Sequence, residues 1–167
     1  MRAVLQRVDR AEVTAGGETI ARIGKGILAL VAVSREDTAE DLRWMARKIV
    51  GLRIFDDPGG KLNLSLEQIR GQLLVVSQFT LYGDCRKGRR PSYTDAAPPP
   101  EAEPVYEAFI QLLRRDVPGV QTGKFQAAMR VSLVNEGPVT LILDSGSRGR
   151  GFGPPGAPPG ARGQDPP

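Results

Sequence analysis

Histidine is absent from this chain of 167 residues. That excludes a Ser-His-Asp triad or a Cys-His pair within one chain, and most catalytic zinc sites, which lean on histidine ligands. A single cysteine, Cys85, leaves no intrachain disulfide and fits the cytosol. Aromatic residues make up 5% of the chain, a poor supply of platforms for stacking bases. No apolar run reaches the length of a membrane span, and the longest, Gly26 to Val33, suits a strand. Met1 to Arg7 has no apolar segment of signal-peptide length. The expectation is a cytoplasmic protein with no membrane partner.

What remains is a globular composition, 40% hydrophobic and 25% charged, with enough residues for one domain with a real core. The net charge of +4 is a weak pointer to a polyanionic partner. Its placement says more, because Arg86-Lys87-Gly88-Arg89-Arg90 gathers four positive charges in five residues. Two readings stand side by side here, a solvated loop and a phosphate contact.

Arg2 to Val8 and Ala11 to Ala15 read as strands, and Gly16-Gly17 as the turn into a hairpin partner, Glu18 to Ile23. Gly26 to Val33 reads as a buried central strand. A helix follows, with Leu42, Met45, Ala46, Ile49 and Val50 on one face and Thr38 with Asp41 as a capping box. Arg53 to Phe55 is a short strand ended by the Asp56-to-Gly60 turn. Leu73 to Leu81 reads as one strand, and 84–100 as a long polar loop. A second helix over Glu101 to Arg115 buries Val105, Phe109, Leu112 and Leu113. Met129 to Val134 and Val139 to Leu143 are the last strands. The fold class is α+β, largely antiparallel sheets in a barrel-like core with two covering helices. Residues 1–144 form the domain. In 145–167 more than half the residues are Gly or Pro, which predicts a disordered tail. Within it Arg148-Gly149-Arg150-Gly151 has the composition of arginine-glycine RNA-binding segments, although a plain disordered extension is the simpler reading.

Two segments carry the chemistry. Ser77-Gln78-Phe79-Thr80-Leu81 puts polar groups where an apolar strand should end, and strand ends are where rigid scaffolds present reactive groups. Thr80 as an attacking group needs an activating base, and none stands nearby in sequence, so a polar pocket role fits it better. Cys85 lacks a histidine partner and reads as an inert loop thiol. Asn135-Glu136-Gly137-Pro138-Val139-Thr140 interrupts a strand, since Pro breaks ladder hydrogen bonding. An ordinary hairpin turn and a cis Gly–Pro bond both account for it.

The two segments closely resemble the signature segments of the D-aminoacyl-tRNA deacylases. Gln6-Arg7-Val8, Arg89-Arg90-Pro91-Ser92 and Gln121-Thr122-Gly123-Lys124-Phe125 also match that family's pattern. The resemblance implies hydrolysis of the ester joining a D-amino acid to the 3′ end of tRNA, and removal of glycine mischarged onto alanine tRNA. It implies a homodimer with no organic cofactor and no metal, and aminoacyl-tRNA as partner. The Gly137–Pro138 bond would be cis and would reach the partner subunit's pocket, with Arg7 fixing its orientation. Phe79, through its backbone N–H, with Gln78 and Thr80, would form the reacting centre. Ser77, Phe125 and Met129 would line the pocket. The competing readings are a non-catalytic tRNA- or RNA-binding module built on the basic loop, and a general esterase using Thr80 or Cys85.

Overall fold

A computed structural model describes residues 1–147. The element order is β1 (Arg2–Ala15), β2 (Glu18–Ile23), β3 (Gly26–Ala32), α1 (Ala39–Gly51), β4 (Phe55–Asp56), β5 (Leu62–Leu64), β6 (Gln72–Ser77), a 3-10 turn (Phe79–Tyr82), α2 (Pro99–Asp116), β7 (Gln121–Thr122), β8 (Met129–Asp144) and a 3-10 turn (Ser145–Ser147).

The main sheet runs β2-β1-β3-β6-β7, with β8 on the other side of β1. β1 is antiparallel to β2, β3 and β8, whereas β3–β6 and β6–β7 are parallel. Parallel neighbours require a long crossover, and α1 and α2 supply the two. The expected α+β, barrel-like architecture with two covering helices is therefore present, with a parallel segment inside it. The small β4–β5 ribbon is antiparallel.

β3 is buried on both faces, which accounts for its unbroken apolar run. Ile27, Ala29 and Val31 join Leu73 and Val75 of β6 in the core beneath the helices. Leu28 with Leu74 and Val76 pack into a second cluster with Val8, Val13 and Ile23. A Cβ at Gly26 would run into the Gln72 backbone, so that β3 start needs glycine. Gly16 and Gly17 have φ of +61° and +88°, the left-handed geometry of a tight hairpin turn. Thr38 and Asp41 form the reciprocal capping box that the sequence predicts.

Several boundaries differ from expectation. The two opening strands are one, β1. The expected strand over Leu73 to Leu81 stops at Ser77: the Gln78 N–H makes the last ladder bond, to the Val31 carbonyl at 2.7 Å, and the chain then curls into the 3-10 turn. The short strand expected at Arg53 begins at Phe55. α2 starts at Pro99 rather than Glu101, since proline is tolerated in a first helical turn whose N–H groups have no partners. Its buried face is Ala102, Tyr106, Phe109, Ile110 and Leu113, with Val105 and Leu112 only partly covered.

The last two strands are also one. Gln6 faces Thr140 and Val8 faces Asn135. Residues 136–139 therefore stand opposite Arg7 alone, an excursion of β8 rather than a hairpin. The Gly137–Pro138 bond is cis. At the domain's end Ser145 is buried and donates its N–H to the Met1 carbonyl at 2.9 Å. The Arg148–Gly151 segment and the rest of the expected tail lie outside the described residues.

Candidate active site

The C-terminal ends of β3 and β6 open into a cleft of about 690 Å³. The two strands run parallel, so both end on the same side of the sheet. Val33 continues β3 into it, and Val76, Ser77, Gln78 and Phe79 continue β6. The Tyr93–Pro99 stretch forms another wall, pinned to β3 by a bridge between Ser34 and Ala96 and by Ala97 N–H to Val33 O at 2.9 Å. Arg35, Ala102, Phe125, Gln126, Ala127, Met129 and Val131 complete the lining.

Five of the residues expected at the site meet here: Ser77, Gln78, Phe79, Phe125 and Met129. Phe79 opens the 3-10 turn, so its N–H has no intrahelical acceptor. Among the described residues no backbone or side-chain group takes that hydrogen. Phe79 is 55% exposed, and its ring meets Tyr93 edge to face, centroids 5.2 Å apart. Thr80 is exposed at the next position and is not part of the lining. Its hydroxyl accepts from the Gln78 side-chain amide at 2.5 Å. Cys85 is exposed and also outside the cleft.

Arg7, Gly137 and Pro138 form a separate assembly away from their own chain's cleft. Arg7 is 5% exposed. Its guanidinium donates to the Ile54 carbonyl at 2.8 Å, the Glu136 carbonyl at 3.2 Å and the Asp56 carboxylate at 3.3 Å. The Glu136 carboxylate lies 3.5 Å from Arg7 and 3.3 Å from Lys25. The Asn135 amide donates to the Arg7 and Val139 carbonyls at 2.9 and 3.1 Å, closing the neck of the excursion. Val139 is buried at its base, and Gly137 and Pro138 are left exposed at its tip.

The basic loop is a small hairpin beside the cleft, closed by reciprocal Asp84–Ser92 backbone hydrogen bonds of 2.7 and 3.0 Å. Arg86 forks onto the Asp84 carboxylate at 2.8 and 2.7 Å. That bidentate bond holds the Asp84 carboxyl down at about 2. Lys87, Arg89 and Arg90 are exposed and belong to no ion pair among the described residues.

Sequence reasoning missed Tyr106. Its hydroxyl, buried under α2, donates to the Val75 carbonyl at 3.0 Å, and its ring lies 5.7 Å from that of Phe125. Burial pushes its hydroxyl pKa far above the ordinary tyrosine value. A tyrosine three residues before Phe109 on the helical stripe was the available signal. Gln126, in the lining, has a φ of +59°, which sequence does not signal. Among the described residues no cluster of three or more metal-ligating side chains occurs, and no helix is long and apolar enough to cross a membrane.

A family model described as D-Tyr-tRNA(Tyr) deacylase matches residues 4–144. A D-aminoacyl-tRNA deacylase of Thermotoga petrophila is 56% identical over 145 residues, covering 87% of this chain and 97% of that protein. One of Desulfatibacillum aliphaticivorans is 57% identical over 147 residues, covering 87% and 99%. A solved structure named c-Myc DNA Unwinding Element Binding Protein matches with a TM-score of 0.83 at 44% identity, over 86% of this chain and 98% of that one. Both signature segments, and the cleft between β3, β6 and α2, fall inside the matched span. On that sequence identity and coverage, this chain belongs to the D-Tyr-tRNA(Tyr) deacylase family of hydrolases.

Proposed function

We propose that this protein hydrolyses the ester of D-aminoacyl-tRNA in the cytosol, releasing tRNA and the free D-amino acid, and that it clears glycine mischarged onto alanine tRNA. The observation that carries this reading is the family match across residues 4–144, which takes in both signature segments.

In this reading the Phe79 N–H is the donor for the oxyanion that develops as the ester carbonyl is attacked. One such donor is worth roughly 2.7–4 kcal/mol. An aminoacyl ester is already activated, and the ribose brings a vicinal hydroxyl that positions water. The chemistry therefore runs with few protein side chains. Gln78 and Thr80 shape the rim, joined by their 2.5 Å hydrogen bond. Ser77, Phe125 and Met129 bound the aminoacyl end.

The protein works as a homodimer. The exposed Gly137–Pro138 tip, held by Arg7 and Asn135, enters the cleft of the other copy. Carbonyls of the partner subunit's Gly137 and Pro138 accept from the substrate α-ammonium. With ammonium and ester both fixed, only two directions remain for hydrogen and side chain. A backbone wall on one of them excludes L-residues and lets glycine pass. No side chain needs to react for this selectivity.

Incubation with D-tyrosyl- and L-tyrosyl-tRNA tests the proposal. The D-ester is expected to be cleaved and the L-ester spared. Equal turnover of both, or of neither, overturns it. A second reading, nucleic-acid binding without cleavage, is favoured by the exposed Lys87, Arg89 and Arg90 and by the name of the 44% identical structure. It predicts salt-sensitive tRNA binding and an intact ester in the same assay.

A further inference from the structure

Arg35 is the single charged residue in the lining of the cleft. It is exposed, follows Ser34 directly after β3, and takes part in no ion pair among the described residues. The Ser34–Ala96 bridge sets it beside the segment that leads into α2. Pro98 and Pro99, the start of that helix, line the same cleft. That start adds no free donors, since Pro99 and Pro100 have no N–H and Glu101 stands in the first turn. Arg35 is therefore the one positive group on that wall, and the carboxylates nearest to it in the chain, Glu36 and Asp37, line the neighbouring cleft that it also borders.

The reacting end of an aminoacyl-tRNA carries two charges. The α-ammonium is positive, and the phosphodiester on the 5′ side of the terminal adenosine is negative. The amino acid's carboxyl group is tied up in the ester and contributes no charge. An ammonium against Arg35 would meet a like charge, whereas a phosphate there would meet a planar fork suited to bidentate binding. We propose that Arg35 binds the phosphate preceding the terminal adenosine and so fixes which way the aminoacyl-adenosine lies in the cleft. The proposal rests on the deacylase reading above. The rest of the RNA then leaves past further cations, since Lys87, Arg89 and Arg90 sit on the hairpin that runs directly into Tyr93 and Thr94 of the lining.

Two measurements test it on the full chain. In the first, binding of adenosine is compared with that of adenosine 5′-methyl phosphate, a monoanionic mimic of the diester. The wild type is expected to prefer the phosphate by roughly tenfold, the scale of one hydrogen bond to a charged group. Arg35→Gln reduces that ratio to near one, and Arg35→Lys restores part of it. In the second, 3′-O-D-tyrosyl esters of the same two compounds are compared by kcat/KM, and the phosphate preference falls in step. An unchanged ratio in Arg35→Gln, with unaltered thermal unfolding, overturns the role given to Arg35. Phosphate-selective binding that depends on Arg35, together with uncleaved D-tyrosyl-tRNA, upholds the phosphate site and sinks the deacylase reading instead.

Discussion

The Tyr106 hydroxyl donates to the Val75 carbonyl at 3.0 Å, from inside the core. The same oxygen accepts the Gly123 N–H, also at 3.0 Å. Val75 lies two residues before Ser77, so this oxygen joins α2, β6 and the segment leading to Phe125 just below the cleft. Removing the hydroxyl in Tyr106→Phe leaves the carbonyl bonded to Gly123. The loss is therefore that of one ordinary hydrogen bond, about 1 kcal/mol, rather than of an orphaned buried acceptor. Urea unfolding is expected to show a lower midpoint with an unchanged slope.

The same tyrosine, with Tyr82, contributes to the pH dependence of stability in the alkaline range. Burial raises both hydroxyl pKa values above the ordinary 10 or so. A group whose folded value is raised contributes stability that is complete below its unfolded value and is lost as pH rises through the folded one. Unfolding free energy is thus expected to be level with respect to these groups up to about pH 10 and to fall above it. Their tyrosinate absorbance should grow together with unfolding. Titration of both hydroxyls near 10 in the folded protein would contradict this.

Local signals in the sequence translated well. The Thr38–Asp41 capping box, the Gly16–Gly17 turn and the apolar β3 depend on neighbours a few residues apart, which periodicity and turn chemistry register. The 3-10 turn at Phe79 was not legible, because the last ladder bond, from the Gln78 N–H, goes to Val31 on another strand and the chain curls only after it. Alternation alone continues the strand through it. Tyr106 escaped notice because its partner lies 31 residues away. Arg35, Tyr93 and Ala97 reach the cleft through the Ser34–Ala96 bridge, a pairing of two loops with no pattern of their own. The signature segments were legible as a resemblance. Their separation, one at the cleft and one on a clamped excursion away from it, became visible only in three dimensions.

Arg7→Ala removes a buried guanidinium from two carbonyls and from the Asp56 and Glu136 carboxylates. Breaking a buried pair by deleting one partner costs roughly 3–5 kcal/mol. The lower end applies here, about 3 kcal/mol, because Glu136 keeps Lys25 and Asp56 is 45% exposed in its side chain. Arg7→Lys cannot reproduce the planar fork and is expected to recover only part of the loss. Denaturant unfolding measures the stability, and the ratio of D- to L-tyrosyl-tRNA cleavage tests the link from Arg7 to the Gly137–Pro138 tip. That ratio should fall in any variant that stays folded. A folded Arg7→Ala protein with wild-type discrimination would separate the clamp from selectivity.

The hairpin cations divide into two kinds. Arg86 is committed to Asp84, whereas Lys87, Arg89 and Arg90 face solvent. Neutralising those three together is expected to raise KM for aminoacyl-tRNA and to reduce the slope of log affinity against log salt by about 2–3, near one unit for each phosphate that no longer meets a cation. Cleavage of a D-aminoacyl ester of adenosine alone, which has no RNA backbone, should be far less affected. An unchanged salt slope would leave these charges as solvated loop residues.

Thr80 separates substrate-assisted chemistry from an attacking side chain. Its hydroxyl accepts from the Gln78 amide at 2.5 Å, and an amide donor holds a hydroxyl without removing its proton. The histidine that most often activates such a group is absent from the chain. Thr80→Ala is therefore expected to keep kcat/KM on D-tyrosyl-tRNA within about tenfold of wild type, under roughly 1.4 kcal/mol of transition-state stabilisation. What remains of the loss reflects a freed Gln78 side chain at the rim. If activity vanished in a variant with wild-type unfolding behaviour, attack by the Thr80 hydroxyl through a covalent threonyl ester would be back in contention. A rapid quench with D-tyrosine labelled in the substrate would trap that ester on the wild-type protein, and its absence alongside retained Thr80→Ala activity leaves water as the attacking group.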